Sequence, residues 1–237
     1  MHTTYRLDAP VLLLRTAQRV HSPVMQQTTR IYEELQRYAH GDAAWTGMYD
    51  RFVARLAALE AGNSAPRPGT TFPDLHLPDH LGRYRSLAEI RAASPVVLSF
   101  VRGTWCPFCR AELADWSDHL AALRAAGGQL VVVVGEISGG ADRVHAALGE
   151  EAIVLCDVDH GAALDLGLAH HVGTELLRRY LDAGLNLTDV YGTDSGILPI
   201  PATFLLDQTA MVREAFVDPD FRVRARAETM VEALRQL

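Results

Sequence analysis

Apolar positions change their spacing once along the chain, and the change divides it. Ile31, Leu35 and Tyr38 recur at steps of four and three, and Tyr49, Phe52, Leu56 and Leu59 continue the same rhythm. Such spacing lines up one face of an α-helix. Ser22-Pro23 gives a start signal ahead of the first stripe, and Asp42 can cap the second after Gly41 interrupts the pattern. Residues 1–62 are therefore expected to form a helical N-terminal extension. Its stripes would pack on the rest of the chain or on a second copy, as in a homodimer. Residues 63–69, Asn63-Ser64-Ala65-Pro66-Arg67-Pro68-Gly69, are turn-rich and read as a linker.

From residue 70 to residue 237 the rhythm becomes that of alternating strands and helices. Residues 72–77 alternate like a short strand, and Ser86 is placed to cap a short helix reaching Arg91. Residues 95–101 and 129–134 are apolar runs of strand length, and 152–155 is a shorter one. Helices are predicted over 107–126, 139–148, 162–168, 174–183 and 224–236. Strands 202–206 and 212–217 flank the polar loop Asp207-Gln208-Thr209-Ala210. This order predicts an α/β fold with a mixed central sheet covered by helices on both faces.

Composition narrows the function. At 237 residues with 49% hydrophobic and 22% charged, the chain can bury a core without metal or disulfide staples. A formal net charge of −7 weighs against nucleic-acid binding, which needs a basic surface. No apolar run approaches a membrane span, and the segment from Met1 to Asp8 lacks the basic and apolar regions of a secretory signal. A cytoplasmic protein without membrane association is the expectation. Three cysteines do not make a secreted disulfide framework, and two of them are Cys106 and Cys109.

That pair sits where the strand over 95–101 gives way to the helix over 107–126. Unpaired backbone N–H groups and the helix dipole at such a junction favour a thiolate on Cys106. A free cysteine titrates at about 8.5, and these sites bring it to roughly 3.5–7.5. Cys109, about one helical turn on, is placed to attack a sulfenic acid or mixed disulfide on Cys106. Pro107 suits the first helical turn, and Trp105 and Phe108 would form an apolar rim for substrate. Two alternatives stand beside this redox pair. A structural zinc site would need four ligands, and only Cys156 is left over. Two inert buried thiols are the other. Cys156 itself reads as a structural thiol or a second resolving cysteine. His170-His171 reads as a surface pair, Asp157 and Asp159 as too weak a metal loop, and Glu112 as a helix-surface carboxylate.

The segment Val97-Leu98-Ser99-Phe100-Val101-Arg102-Gly103-Thr104-Trp105-Cys106-Pro107-Phe108-Cys109-Arg110-Ala111-Glu112-Leu113 resembles the active-site segment of thioredoxin-fold proteins. It is closest to the peroxiredoxin-like alkyl hydroperoxide reductase/thiol-specific antioxidant (AhpC/TSA) branch. Leu198-Pro199-Ile200-Pro201-Ala202-Thr203-Phe204-Leu205-Leu206-Asp207 resembles the Pro-Ala-Thr-Phe strand of those families, and the stretch from Phe216 to Arg222 is similar to that branch as well. The resemblance covers residues 70–237 and implies a thioredoxin-like domain. It also implies a cis-proline at Pro201 that turns the Ile200 backbone toward Cys106. The chain departs from the peroxiredoxin pattern, which has Thr three residues before the reactive cysteine and Pro four residues before that Thr; Gly103 and Ser99 stand there. Thr104 lies one position later. Arg102 and Arg110 are the candidates to stabilise a thiolate and orient a peroxide, and each reads equally as a solvated arginine.

The expected activity is a thiol peroxidase. Its substrate is a hydroperoxide, Cys106 is the nucleophile and Cys109 resolves. An external dithiol reductant such as a thioredoxin system regenerates it, and no metal, flavin or haem cofactor is required. The alternatives are a thioredoxin-like oxidoreductase acting on protein disulfides and a redox-sensing binding module.

Overall fold

The chain is described here by a computed structural model over residues 43–137 and 139–237. The start signal at Ser22-Pro23, the stripe Ile31, Leu35, Tyr38 and the Asp42 cap lie outside those residues. Helix α1, Ala43–Ala58, carries the second stripe. Tyr49, Phe52 and Leu56 are buried, and Trp45 joins them. Leu59 does not: it falls past the helix end and is 70% exposed. Polar ties fix α1 in place. Arg222 Nη1 donates to Asp50 Oδ1 at 2.8 Å, Arg51 pairs with Glu175 at 2.7 Å, and Arg55 Nη2 donates to the carbonyls of His171 and Val172 at 2.7 and 2.9 Å.

A run of turns follows, and then β1, His76–Pro78, pairs antiparallel with β2, Tyr84–Ser86. The strand predicted over 72–77 is thus present only at its end. Asp74 breaks it by turning its carboxylate onto the next helix, where it accepts from Ala88 N at 2.7 Å and Ser86 Oγ at 2.9 Å. That helix, α2 (Leu87–Ala93), is capped by Ser86 as predicted.

The framework is then β3 (Val96–Val101), α3 (Pro107–Ala125), β4 (Gln129–Val134), α4 (Gly140–Leu148) and β5 (Ala152–Cys156). A short 3-10 turn leads to α5 (Gly161–Asp165), β6 (Ala169–His171), α6 (Thr174–Asp182) and α7 (Leu187–Tyr191). The last elements are β7 (Ile197–Pro199), β8 (Ala202–Leu206), β9 (Val212–Val217) and α8 (Ala227–Leu234). Strands β6 and β7 pair with each other, and neither was predicted. The central sheet has five strands in the order β5-β4-β3-β8-β9. β3, β4 and β5 run parallel, and β8 and β9 join antiparallel. It is the mixed sheet the pattern predicts.

All six residues of β3 are buried, as a central strand covered on both faces must be. Side chains alternate across it. Val96, Leu98 and Phe100 join one cluster with Phe204 and Leu206. Val97 and Val101 join the other, with α3, α1 and α8. The site stands on that second face, at the carboxyl end of β3.

Candidate active site at the start of α3

Five residues, 102–106, carry the chain from β3 into α3, and a buried carboxylate shapes the turn. Glu136 Oε1 accepts from Thr104 N at 2.8 Å and from Trp105 N at 3.4 Å, and its Oε2 accepts from Thr104 Oγ1 at 2.8 Å. Arg143 Nη2 balances its charge at 3.2 Å. Gly103 adopts a φ of +148°, and a Cβ there would stand 2.6 Å from Glu136 Oε1. This explains the departure noted in the sequence: a threonine at 103 has no room here. The turn delivers Cys106 to the N-cap of α3, with Pro107 in the first helical turn. Arg110 N donates to the Cys106 carbonyl at 3.0 Å, the first bond of the helix. The first turn of α3 holds no acidic side chain, so its amide dipoles act on the sulfur unopposed.

Two buried guanidinium groups complete the electrostatics. Arg102 donates through Nη2 to Tyr180 Oη at 2.9 Å, and its Cζ lies 4.2 Å from the centre of the Phe221 ring and 4.7 Å from that of Trp105. Among the described residues it forms no ion pair with a carboxylate, so its charge acts on what lies nearby. Arg224 donates through Nη2 to Cys109 Sγ at 3.4 Å and to Cys106 Sγ at 4.0 Å. Its Nη1 pairs with Glu112 Oε2, and its Nε donates to the Phe221 carbonyl at 2.7 Å. Glu112 also accepts from Ser99 Oγ at 2.8 Å.

Burial alone would push the Cys106 thiol up. The hydrogen-bonded Cys109 thiol and the charges of Arg102 and Arg224 outweigh it and bring Cys106 down to about 5. Cys109 moves the other way: burial and its bond to Cys106 hold it well above the ordinary thiol value. The result is an ordered pair, one sulfur anionic at neutral pH and the other protonated. Burial also keeps Tyr49 and Tyr191 neutral, and Tyr191 Oη accepts from Trp105 Nε1 at 2.8 Å.

Several expectations are corrected. Cys106 is at the predicted helix start, yet it is only 1% exposed and sits in one cluster with Tyr49, Trp105, Phe108 and Cys109. Trp105 and Phe108 are likewise buried wall residues rather than an open rim, because Tyr180 and Tyr191 close on Trp105 and Phe221 closes on Phe108. Arg110 is exposed, and the arginine charges that weigh most on the Cys106 sulfur are those of Arg102 and Arg224. Glu112 is buried inside an ion pair, not solvated. Pro201 is trans, since no described peptide bond is cis. The Ile200 N–H that was to meet substrate donates instead to the Leu168 carbonyl at 2.6 Å, because β7 has been drawn into pairing with β6. Of His170-His171 only His171 is exposed; burial beside Arg102 lowers His170 to about 3. Cys156 is half-buried at the end of β5 and donates to the Asp79 carbonyl at 3.7 Å. With β4 between β5 and β3, about 10 Å of sheet separates it from the start of the Cys106 loop, beyond disulfide reach without backbone movement.

Reading the sequence missed Arg224, Glu136, Tyr180 and Tyr191. Arg224 had a signal: it lies in Arg222-Val223-Arg224-Ala225-Arg226, and all three arginines are buried. Among the described residues no group of three or more His, Cys, Asp or Glu side chains could hold a metal ion, and no helix is long and apolar enough to cross a membrane.

A family model described as the AhpC/TSA family matches residues 68–215. No curated protein matches the chain. Among solved structures, the fold is similar to the peroxidoxin BcpB of Mycobacterium tuberculosis, with a TM-score of 0.55 and 19% identity over 72% of this chain and 97% of that one. It is similar to reduced Prx3 from Vibrio vulnificus in complex with hydrogen peroxide, with a TM-score of 0.56 and 21% identity over 71% of this chain and 99% of that one. Peroxiredoxin Q of Xanthomonas campestris gives a TM-score of 0.52 and 20% identity over 73% and 96%.

Proposed function

The chain belongs to the AhpC/TSA family, and from that premise we propose that it is a thiol peroxidase with Cys106 as nucleophile and Cys109 as resolving thiol. The observation that carries the reading is Cys106 at the N-cap of α3 with the buried charges of Arg102 and Arg224 acting on its sulfur. The Cys106 thiolate attacks the outer oxygen of a hydroperoxide. The O–O bond breaks, the alcohol or water leaves with a proton, and Cys106 becomes a sulfenic acid. Cys109 then displaces hydroxide from that sulfur, giving a Cys106–Cys109 disulfide and water. An external dithiol of the thioredoxin type reduces the disulfide in two exchange steps.

The same geometry weighs against a protein disulfide as substrate. A sulfur with 1% exposure must be uncovered locally before it reacts. A hydroperoxide needs a narrow opening, whereas a folded protein needs a broad one and an extended backbone partner. The Ile200 N–H is already engaged.

Turnover tests the proposal. Purified protein should consume hydrogen peroxide and cumene hydroperoxide catalytically with dithiothreitol or a thioredoxin system as reductant. Cys106→Ser should lose this wholly, and Cys109→Ser should trap a sulfenic acid that dimedone labels. Efficient insulin reduction with no peroxide consumption would assign it to disulfide exchange instead. A single stoichiometric oxidation would make it a sensor. Mass mapping of the oxidised thiols checks the pairing.

A further inference from the structure

The peroxidase reading assigns a nucleophile but leaves the resolving thiol in an unreactive form, since Cys109 is fully buried and held protonated. A thiol reacts through its thiolate, so something must help Cys109 lose its proton when its turn comes. Arg224 is placed to do so. Its guanidinium is fixed on two sides, by Glu112 on Nη1 and by the Phe221 carbonyl on Nε. Glu112 is fixed in turn by Ser99, whose hydroxyl projects from β3. The remaining nitrogen, Nη2, is thereby aimed at the sulfur pair and lies nearer Cys109, at 3.4 Å, than Cys106, at 4.0 Å. Arg224 lies beyond the family-matched residues 68–215, so this arrangement comes from the chain's own C-terminal segment.

Resting on the peroxidase reading, we propose that Arg224 is the positioning residue of the resolving step: it stabilises the Cys109 thiolate while the disulfide forms, and Glu112 sets how strongly it does so. In that step Cys109 loses its proton as its sulfur bonds to the Cys106 sulfur. The S–O bond of the sulfenic acid breaks, and hydroxide takes up a proton and leaves as water. The Cys109 sulfur is oxidised, the Cys106 sulfur is reduced, and no further reactant is consumed. The two arginines thus divide the cycle. Arg102, with no carboxylate partner among the described residues, serves Cys106; Arg224, tempered by Glu112, serves Cys109. The charged and titratable groups facing Cys109 are Cys106 and Glu112 of α3, Arg102 after β3, Arg224 before α8 and Tyr191 of α7.

The two partners predict opposite signs, which a merely structural role does not. After a single-turnover pulse of hydrogen peroxide, disulfide formation is followed against pH. Arg224→Met should move its midpoint upward by roughly one unit, about tenfold slower near neutrality. Arg224→Lys should recover part of that rate. Glu112→Gln should move the midpoint downward, because the guanidinium then acts on sulfur without a competing anion. Sulfenic acid formation, measured separately in the Cys109→Ser background, should change less with Arg224→Met than disulfide formation does. Arg224→Lys and Glu112→Gln keep the test open should the methionine variant fold poorly. Shifts of the same sign in the Arg224 and Glu112 variants, or no shift, would overturn the assignment while leaving the peroxidase reading intact. If the Cys109→Ser protein forms no sulfenic acid, both fall.

Discussion

The two faces of the central sheet are built on different principles. On one, Val96, Leu98 and Phe100 of β3 meet Phe204, Leu206 and Val212, backed by Phe72, Leu87 and Ile90. On the other, Val97 and Val101 share the core with two thiols, and Ser99 reaches from the strand to an ion pair sealed under α3. A single strand serves both because its side chains alternate. A slip of one residue would put Ser99 among the aromatics of the first face and leave Glu112 with Arg224 but without its serine donor. Both faces bury large apolar clusters, and the second sets a charged pair inside its own. Replacing a buried ion pair by well-packed apolar side chains is often neutral or stabilising, so the Glu112–Arg224 pair is a weak source of stability.

Substitutions can sharpen that contrast. The largest expected effects come from one change on each face. Cys106→Ser should reduce peroxide consumption to background with little change in the denaturation midpoint. Phe204→Ala, on the apolar face, should cost about 3–5 kcal/mol in urea denaturation while the folded fraction keeps its turnover. Loss of turnover per folded molecule in Phe204→Ala would show that the faces are not independent. A smaller effect is expected from Arg102→Met. Removing a positive charge favours the protonated thiol, so the Cys106 midpoint should rise from about 5 by roughly one to two units. Thiolate absorbance against pH reads this directly. In the wild-type protein, alkylation of Cys106 should be nearly flat above neutrality and fall as pH drops through about 5, where the thiolate takes up its proton. The smallest effect should be that of Cys156→Ser, which should leave turnover unchanged and stability within about 0.5 kcal/mol, since its half-buried sulfur lies at the edge of the core and its hydrogen bond to the Asp79 carbonyl is long.

What could be read beforehand was whatever lies close in sequence. The apolar runs at 95–101 and 129–134 became β3 and β4, and the strand-to-helix junction put Cys106 at the N-cap. The Arg224 contact was out of reach in that way, being made across 118 residues to Cys106 and 112 to Glu112. Yet Glu112 carried a warning. Phe108, Cys109, Glu112, Leu113 and Trp116 fall at helical spacing on the inward stripe of α3. A carboxylate on a buried stripe calls for a buried cation. The cis reading of Pro201 came from resemblance alone, and X–Pro bonds are mostly trans. Strands β6 and β7 were invisible because three-residue strands with His and Pro leave no alternation to detect.

The ties that hold α1 down have a consequence for anyone shortening this protein. Cutting at the linker would remove Trp45, Tyr49, Phe52 and Leu56 from the cluster that contains Cys106, and would strip Arg222 of Asp50. The Cys106 sulfur would then be ventilated to bulk water. A trimmed molecule that reacts faster but is overoxidised sooner would show that the helix upstream of the matched region works as a stopper, trading speed for a thiol that survives its own chemistry.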